Sequence, residues 1–131
     1  MPKTIEQEVT FKATPHDVYE ALMDSAKHAN FTGAEASVSR EAGGKFTAYD
    51  GAIEGTNVEL TPDVRIVQSW RCDATGWPKD HYSHLSITLE PVAGGTLLTL
   101  DHENVPDPSF EECTEGWRTA YWDKMKQTFD W

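Results

Sequence analysis

The chain has 131 residues and a formal net charge of -11, from 11 Lys and Arg against 22 Asp and Glu. That length fits one domain, residues 1–131, with a core deep enough to need no staples. The acidic excess excludes nucleic acid and anionic membrane surfaces as partners, because both would repel it.

Alternation of Ile5, Val9 and Phe11 on one parity predicts a strand over Ile5–Phe11. Thr14-Pro15-His16-Asp17 then starts a helix: Thr14 is a cap, Pro15 suits the first helical position, and Asp17 meets the free amides. Val18, Leu22 and Met23 give that helix its apolar stripe, and Ser25 is the expected cap of a second short helix ending near Asn30-Phe31-Thr32-Gly33. The Asn30-Phe31-Thr32 tripeptide matches a glycosylation acceptor, read here as chance. His16 and His28 read as surface helix residues.

From Ala34 to Glu103 the period falls to two, punctuated by Gly43-Gly44, Asp50-Gly51, Thr61-Pro62-Asp63 and Ala93-Gly94-Gly95. The runs between are Lys45–Tyr49, Ile53–Leu60, Val64–Arg71, Tyr82–Glu90 and Thr96–Glu103, with Cys72–His81 as the longest loop. Spacing this short leaves no room for crossover helices, so an antiparallel meander is expected. The chain closes on a long helix, for which Ser109 and Glu112 form a capping box. Phe110, Cys113, Trp117, Tyr121 and Met125 make its apolar stripe, widened by Trp122 and Phe129. The fold class is therefore α+β: a helix-grip, with a curved antiparallel sheet wrapped around a long C-terminal helix and two short helices after the first strand.

Cys72 and Cys113, 41 positions apart, form neither a CxxC pair nor a metal-spaced cluster. Both are expected to be small buried hydrophobes in a reducing compartment. His81 and His84, three apart on a strand, point to opposite faces and cannot share a metal. No metal and no cofactor are implied. The N-terminal Met1-Pro2-Lys3-Thr4-Ile5-Glu6 has no apolar signal core and no apolar run is long enough to span a membrane, so a cytoplasmic protein is expected.

Several runs resemble the activator of Hsp90 ATPase homologue family, within the Bet v 1-like or START-like (SRPBCC) superfamily. They are Gly43-Gly44-Lys45-Phe46, Asp50-Gly51 followed by Gly55, Leu60-Thr61-Pro62, Ile66-Val67-Gln68-Ser69-Trp70-Arg71, Trp77-Pro78, Gly116-Trp117, Tyr121 and Lys126-Gln127-Thr128-Phe129. The resemblance implies a helix-grip fold with a space between sheet and long helix, where superfamily members often hold a hydrophobic ligand. It also implies a link to Hsp90-type chaperones. Co-chaperones of the family pair such a domain with a separate N-terminal one, and this sequence starts directly at the helix-grip domain, so it is expected to lack that partner.

Parity selects the lining of that space. Leu98, Leu100 and His102 share one face, as do Leu85 and Ile87 on the next strand, and Gln68 shares a face with Trp70. Phe46 and Ala48 face inward, opposed by Phe110, Trp117 and Tyr121 from the helix, with Phe31 at the open end. The parity of Ile53–Leu60 is ambiguous. The expected function is binding of a small hydrophobic molecule by a non-enzymatic domain, with Gln68, His102 and Tyr121 as polar anchors. The competing expectation is that the aromatics fill the space. His102 reads first as a satisfied core or rim histidine, because Asp101 and Glu103 point to the other face.

The alternative function is a Hsp90-type chaperone partner, steered by an acidic stretch from Asp80 to Trp117 that holds eight acids and no Lys or Arg. A cyclase- or dehydratase-like activity is the least favoured: no GxSxG, HExxH or P-loop is present, and only Tyr82, His84, His102 or Tyr121 offer proton transfer. Exposed Trp70, Trp117 or Trp122 would favour a homodimer over a monomer.

Overall fold

Alternating apolar residues dictate the first strand, and the computed structural model, which describes residues 2–74 and 76–129, places it at the edge of the sheet. The expected extent of 1–131 includes Met1, Thr75, Asp130 and Trp131, which lie outside the described residues. Strand β1 (Lys3–Phe11) buries Ile5, Val9 and Phe11.

Helix α1 (Pro15–Met23) begins as its sequence dictates: Thr14 Oγ1 accepts from the Asp17 N–H at 3.1 Å. Helix α2 (Ser25–Thr32) corrects one expectation. Its cap is Asp24, whose carboxylate accepts from the Lys27 N–H at 3.0 Å. Ser25 lies one residue inside the helix and accepts from the Val38 N–H at 2.8 Å, pinning the two-residue strand β2 (Ser37–Val38). Gly33, at φ 78°, ends α2 in the left-handed conformation that glycine adopts without strain.

The meander follows as β3 (Lys45–Ala48), β4 (Ile53–Thr61), β5 (Arg65–Cys72), β6 (Ser83–Val92) and β7 (Gly95–Val105). The sheet order is β1-β7-β6-β5-β4-β3-β2, every pair antiparallel. The ambiguous parity of β4 has a physical cause. A bulge between Asn57 and Glu59 shifts the register against β5 and turns Val58 out to 55% exposure. Gly55 is required where it stands: a Cβ there would meet Ser69 O at 1.9 Å and the Phe46 ring at 2.8 Å.

The terminal helix is reached through a 3-10 turn, Asp107–Ser109. That turn overrides the expected capping box, because Ser109 already has near-helical angles and makes no side-chain cap bond. The helix then runs as α3 (Phe110–Gly116), a π-helical segment (Trp117–Trp122) and α4 (Asp123–Thr128). Cys113, Trp117, Tyr121 and Met125 repeat every four residues, whereas an α-helix turns every 3.6. Each four-residue step would overshoot by roughly 40°, carrying Met125 off the face that Cys113 starts. The wider π turn, closed where the Asp123 N–H bonds Arg118 O, absorbs the drift, and all four side chains are buried.

The helix lies in the grip of the sheet. Trp117 stacks on Trp122 at 5.4 Å, and the Phe11 ring meets Trp122 and Phe129 edge-on at 6.3 and 5.7 Å. Gln7 of β1 clamps the helix with both ends of its amide: Oε1 accepts from Trp122 Nε1 at 2.7 Å and Nε2 donates to Thr114 O at 3.0 Å.

Candidate functional site between the sheet and the terminal helix

Phe46, Ala48, Gln68, Trp70, Leu85, Ile87, Trp117 and Tyr121 converge on one cavity beneath the helix. Leu22, Met23, His28, Val38 and Ile66 complete its wall. Phe31, Leu98, Leu100 and His102 are buried but off that wall. Phe110 is half-buried at the start of the helix, its ring centroid 5.0 Å from Lys3 Nζ.

The cavity holds only about 30 Å³, room for roughly one or two waters. Energetics explain the filling. At about 24 cal/mol per Å³ a void this small costs about 0.7 kcal/mol, whereas an empty chamber of a few hundred Å³ would cost several. The aromatic side chains collapse into the space instead.

Its polar groups are spent on one another. His28, expected on the surface, is buried at 6% exposure, because α2 packs it against the terminal helix. Its Nδ1 donates to Leu22 O at 3.0 Å, leaving Nε2 to accept from the Tyr121 hydroxyl at 3.0 Å. Burial pushes the His28 pKa down and the Tyr121 pKa up. Gln68 donates its amide N–H to Asn57 Oδ1 at 3.0 Å, and Asn57 Nδ2 in turn donates to Ser39 O and Glu41 O at 2.8 and 3.2 Å. That amide nitrogen holds a loop.

His102 is fully buried, and its bonds form a directed chain. Trp117 Nε1 donates to His102 Nδ1 at 3.0 Å, Nε2 donates to Ser83 Oγ at 2.6 Å, and Ser83 donates to Trp70 O at 2.8 Å. Burial, with His84 adding repulsion, holds its pKa down at about 3. Of the other proton-transfer candidates, Tyr82 and His84 are exposed. His81, weighed only as a metal partner of His84, donates from Nε2 to Asn104 O at 2.7 Å.

A second, open space stands at the end of β5. Tyr49, Trp70, Cys72, Cys113, Trp117 and Tyr121 are among the residues around a groove of about 320 Å³. Tyr49 reaches over from its turn to donate a 2.5 Å hydrogen bond to Ala120 O in the π segment, and burial pushes its pKa up to about 12. No sequence pattern marked this groove, because Asp73 and Ala74, the turn at Tyr49 and the terminal helix build it jointly.

The family described as Activator of Hsp90 ATPase homolog 1-like protein matches residues 12–130. The chain belongs to this family. An activator of 90 kDa heat shock protein ATPase homolog from Dictyostelium discoideum is 34% identical over 131 residues, covering 98% of this chain and 33% of the relative. The homolog 1 of Homo sapiens is 32% identical over 120 residues, covering 92% and 35%. The chain thus spans about a third of the length of these Hsp90 ATPase activator homologues. The crystal structure of an HSP90 activator from Plasmodium falciparum superposes with a TM-score of 0.88 at 25% identity, covering 95% of this chain and 94% of that one. The Hsp90-activator resemblance and the helix-grip fold therefore both hold.

Proposed function

We propose that this chain is a non-enzymatic docking domain for an Hsp90-type chaperone, acting in the cytoplasm as a monomer or homodimer. The observation that carries the reading is the filled interior: with about 30 Å³ under the helix, the outer surface is what remains for recognition. Relatives named as Hsp90 ATPase activators match nearly the whole chain and support the same partner. Glu111 and Glu112, both exposed and without an ion pair among the described residues, offer negative charge to a basic patch. Titrating an Hsp90-type chaperone with this chain by calorimetry should give binding that weakens as salt rises. Absence of heat at low ionic strength retires the proposal.

A second reading rests on the open groove. Its aromatic walls and volume of about 320 Å³ suit a small hydrophobic molecule. Saturating binding of an apolar dye, displaced by an apolar competitor, supports it.

A further inference from the structure

Cys72 closes β5 opposite Ile53 of β4, and Cys113 stands on α3 at the start of the terminal helix. Both are free and more than nine-tenths buried, at 8% and 7% exposure. Far apart in sequence, they come together at one groove, close enough for their thiols to influence each other. Both also line the open groove of about 320 Å³. A small solute in that groove stands against both residues without any opening of the core.

The two sulfurs are not equivalent. The neighbouring Cys113 thiol lowers the Cys72 pKa, helped by the Ala74 backbone, against burial and the charges of Asp73 and Glu112. Cys113 is pushed up by the Cys72 thiol beside it and by burial. The pair therefore has a nucleophile and a proton-bearing resolver.

We infer that Cys72 and Cys113 form a reactive dithiol, which a small hydroperoxide admitted through the groove converts to an intramolecular disulfide. In the first step the Cys72 thiolate attacks one oxygen of hydrogen peroxide. The S–O bond forms, the O–O bond breaks, and the leaving hydroxide takes the proton lost by Cys72 to become water. In the second step Cys113 Sγ attacks the Cys72 sulfenic sulfur. The S–S bond forms, the S–O bond breaks, and hydroxide departs with the Cys113 proton as a second water. The thiols lose two electrons in total, and peroxide is reduced to water. The product staples the start of the terminal helix to the end of β5, and in a reducing compartment it is transient.

The test treats the reduced full chain with hydrogen peroxide and digests it without reductant for mass spectrometry. The expected product has lost two hydrogens and both free thiols, yields a linked peptide pair joining Cys72 to Cys113, and reverts with dithiothreitol. Cys113→Ser should accumulate a Cys72 sulfenic acid captured by dimedone. Cys72→Ser should leave the Cys113 thiol reacting at least about tenfold more slowly than Cys72 does. Survival of both thiols at peroxide levels that oxidise an unstructured cysteine peptide overturns the inference, as do products that are only intermolecular disulfides or sulfinic acids. The decisive readout is taken on the unaltered chain, so it stands even if a serine variant fails to fold.

Discussion

The indole N–H of Trp117 donates to Nδ1 of His102 across 3.0 Å, which places the imidazole proton on Nε2. A second ring proton on His102 would point at the Trp117 N–H, so folding and protonation oppose each other. The unfolded chain binds that proton near its ordinary value of 6.5 and the folded chain only near 3. Between these values the unfolded state holds more protons, so stability is complete above about pH 6.5 and erodes as pH falls toward 3. The slope reaches about 1.4 kcal/mol per pH unit for one such histidine. His28, also pushed down by burial, acts in the same direction. Urea unfolding at about pH 7 and about pH 5 should show this loss, and His102→Gln should flatten the His102 share of it.

Tyr121→Phe removes the hydroxyl that His28 Nε2 accepts from, leaving a buried acceptor unpaired. The expected cost is about 1–3 kcal/mol, read as a lower denaturant midpoint with an unchanged slope. His28→Phe with Tyr121→Phe should cost less than the two single changes summed, because both ends of the bond then go together.

Gly55→Ala places a methyl group against Ser69 O and the Phe46 ring. The backbone oxygen cannot move without breaking the β4–β5 pairing, so a loss of about 1–3 kcal/mol is expected. A melting temperature unchanged from the parent would contradict the close approach.

What the sequence carried well was period. Ile5, Val9 and Phe11 announced β1, and Leu85, Ile87, Leu98 and Leu100 announced inward faces that the structure buries. What it could not carry was contact between distant residues. His28 is buried through a partner 93 positions away, and no local pattern marks that. Strand β2 is two residues long, too short for a period, and is fixed by Ser25 on another element. The π segment was readable in hindsight from the four-residue spacing of Cys113, Trp117, Tyr121 and Met125. The chamber was harder still. Parity gave which side chains face inward, but only packing decides how much space they leave.

Gly116 tests the groove without disturbing the core. It lines the groove, and a Cβ built there meets nothing within 4 Å. Gly116→Leu should therefore retain or raise stability, by up to about 1 kcal/mol from helix propensity, while abolishing any apolar dye binding there. Undiminished dye binding in that variant would place the dye elsewhere.

The most direct test of the docking account is ATP turnover by an Hsp90-type chaperone with this chain added at low ionic strength. A rise in turnover, diminished by Glu111→Lys with Glu112→Lys and by added salt, is the expected result. Turnover that stays at the chaperone's own rate across a saturating range of this chain would contradict it.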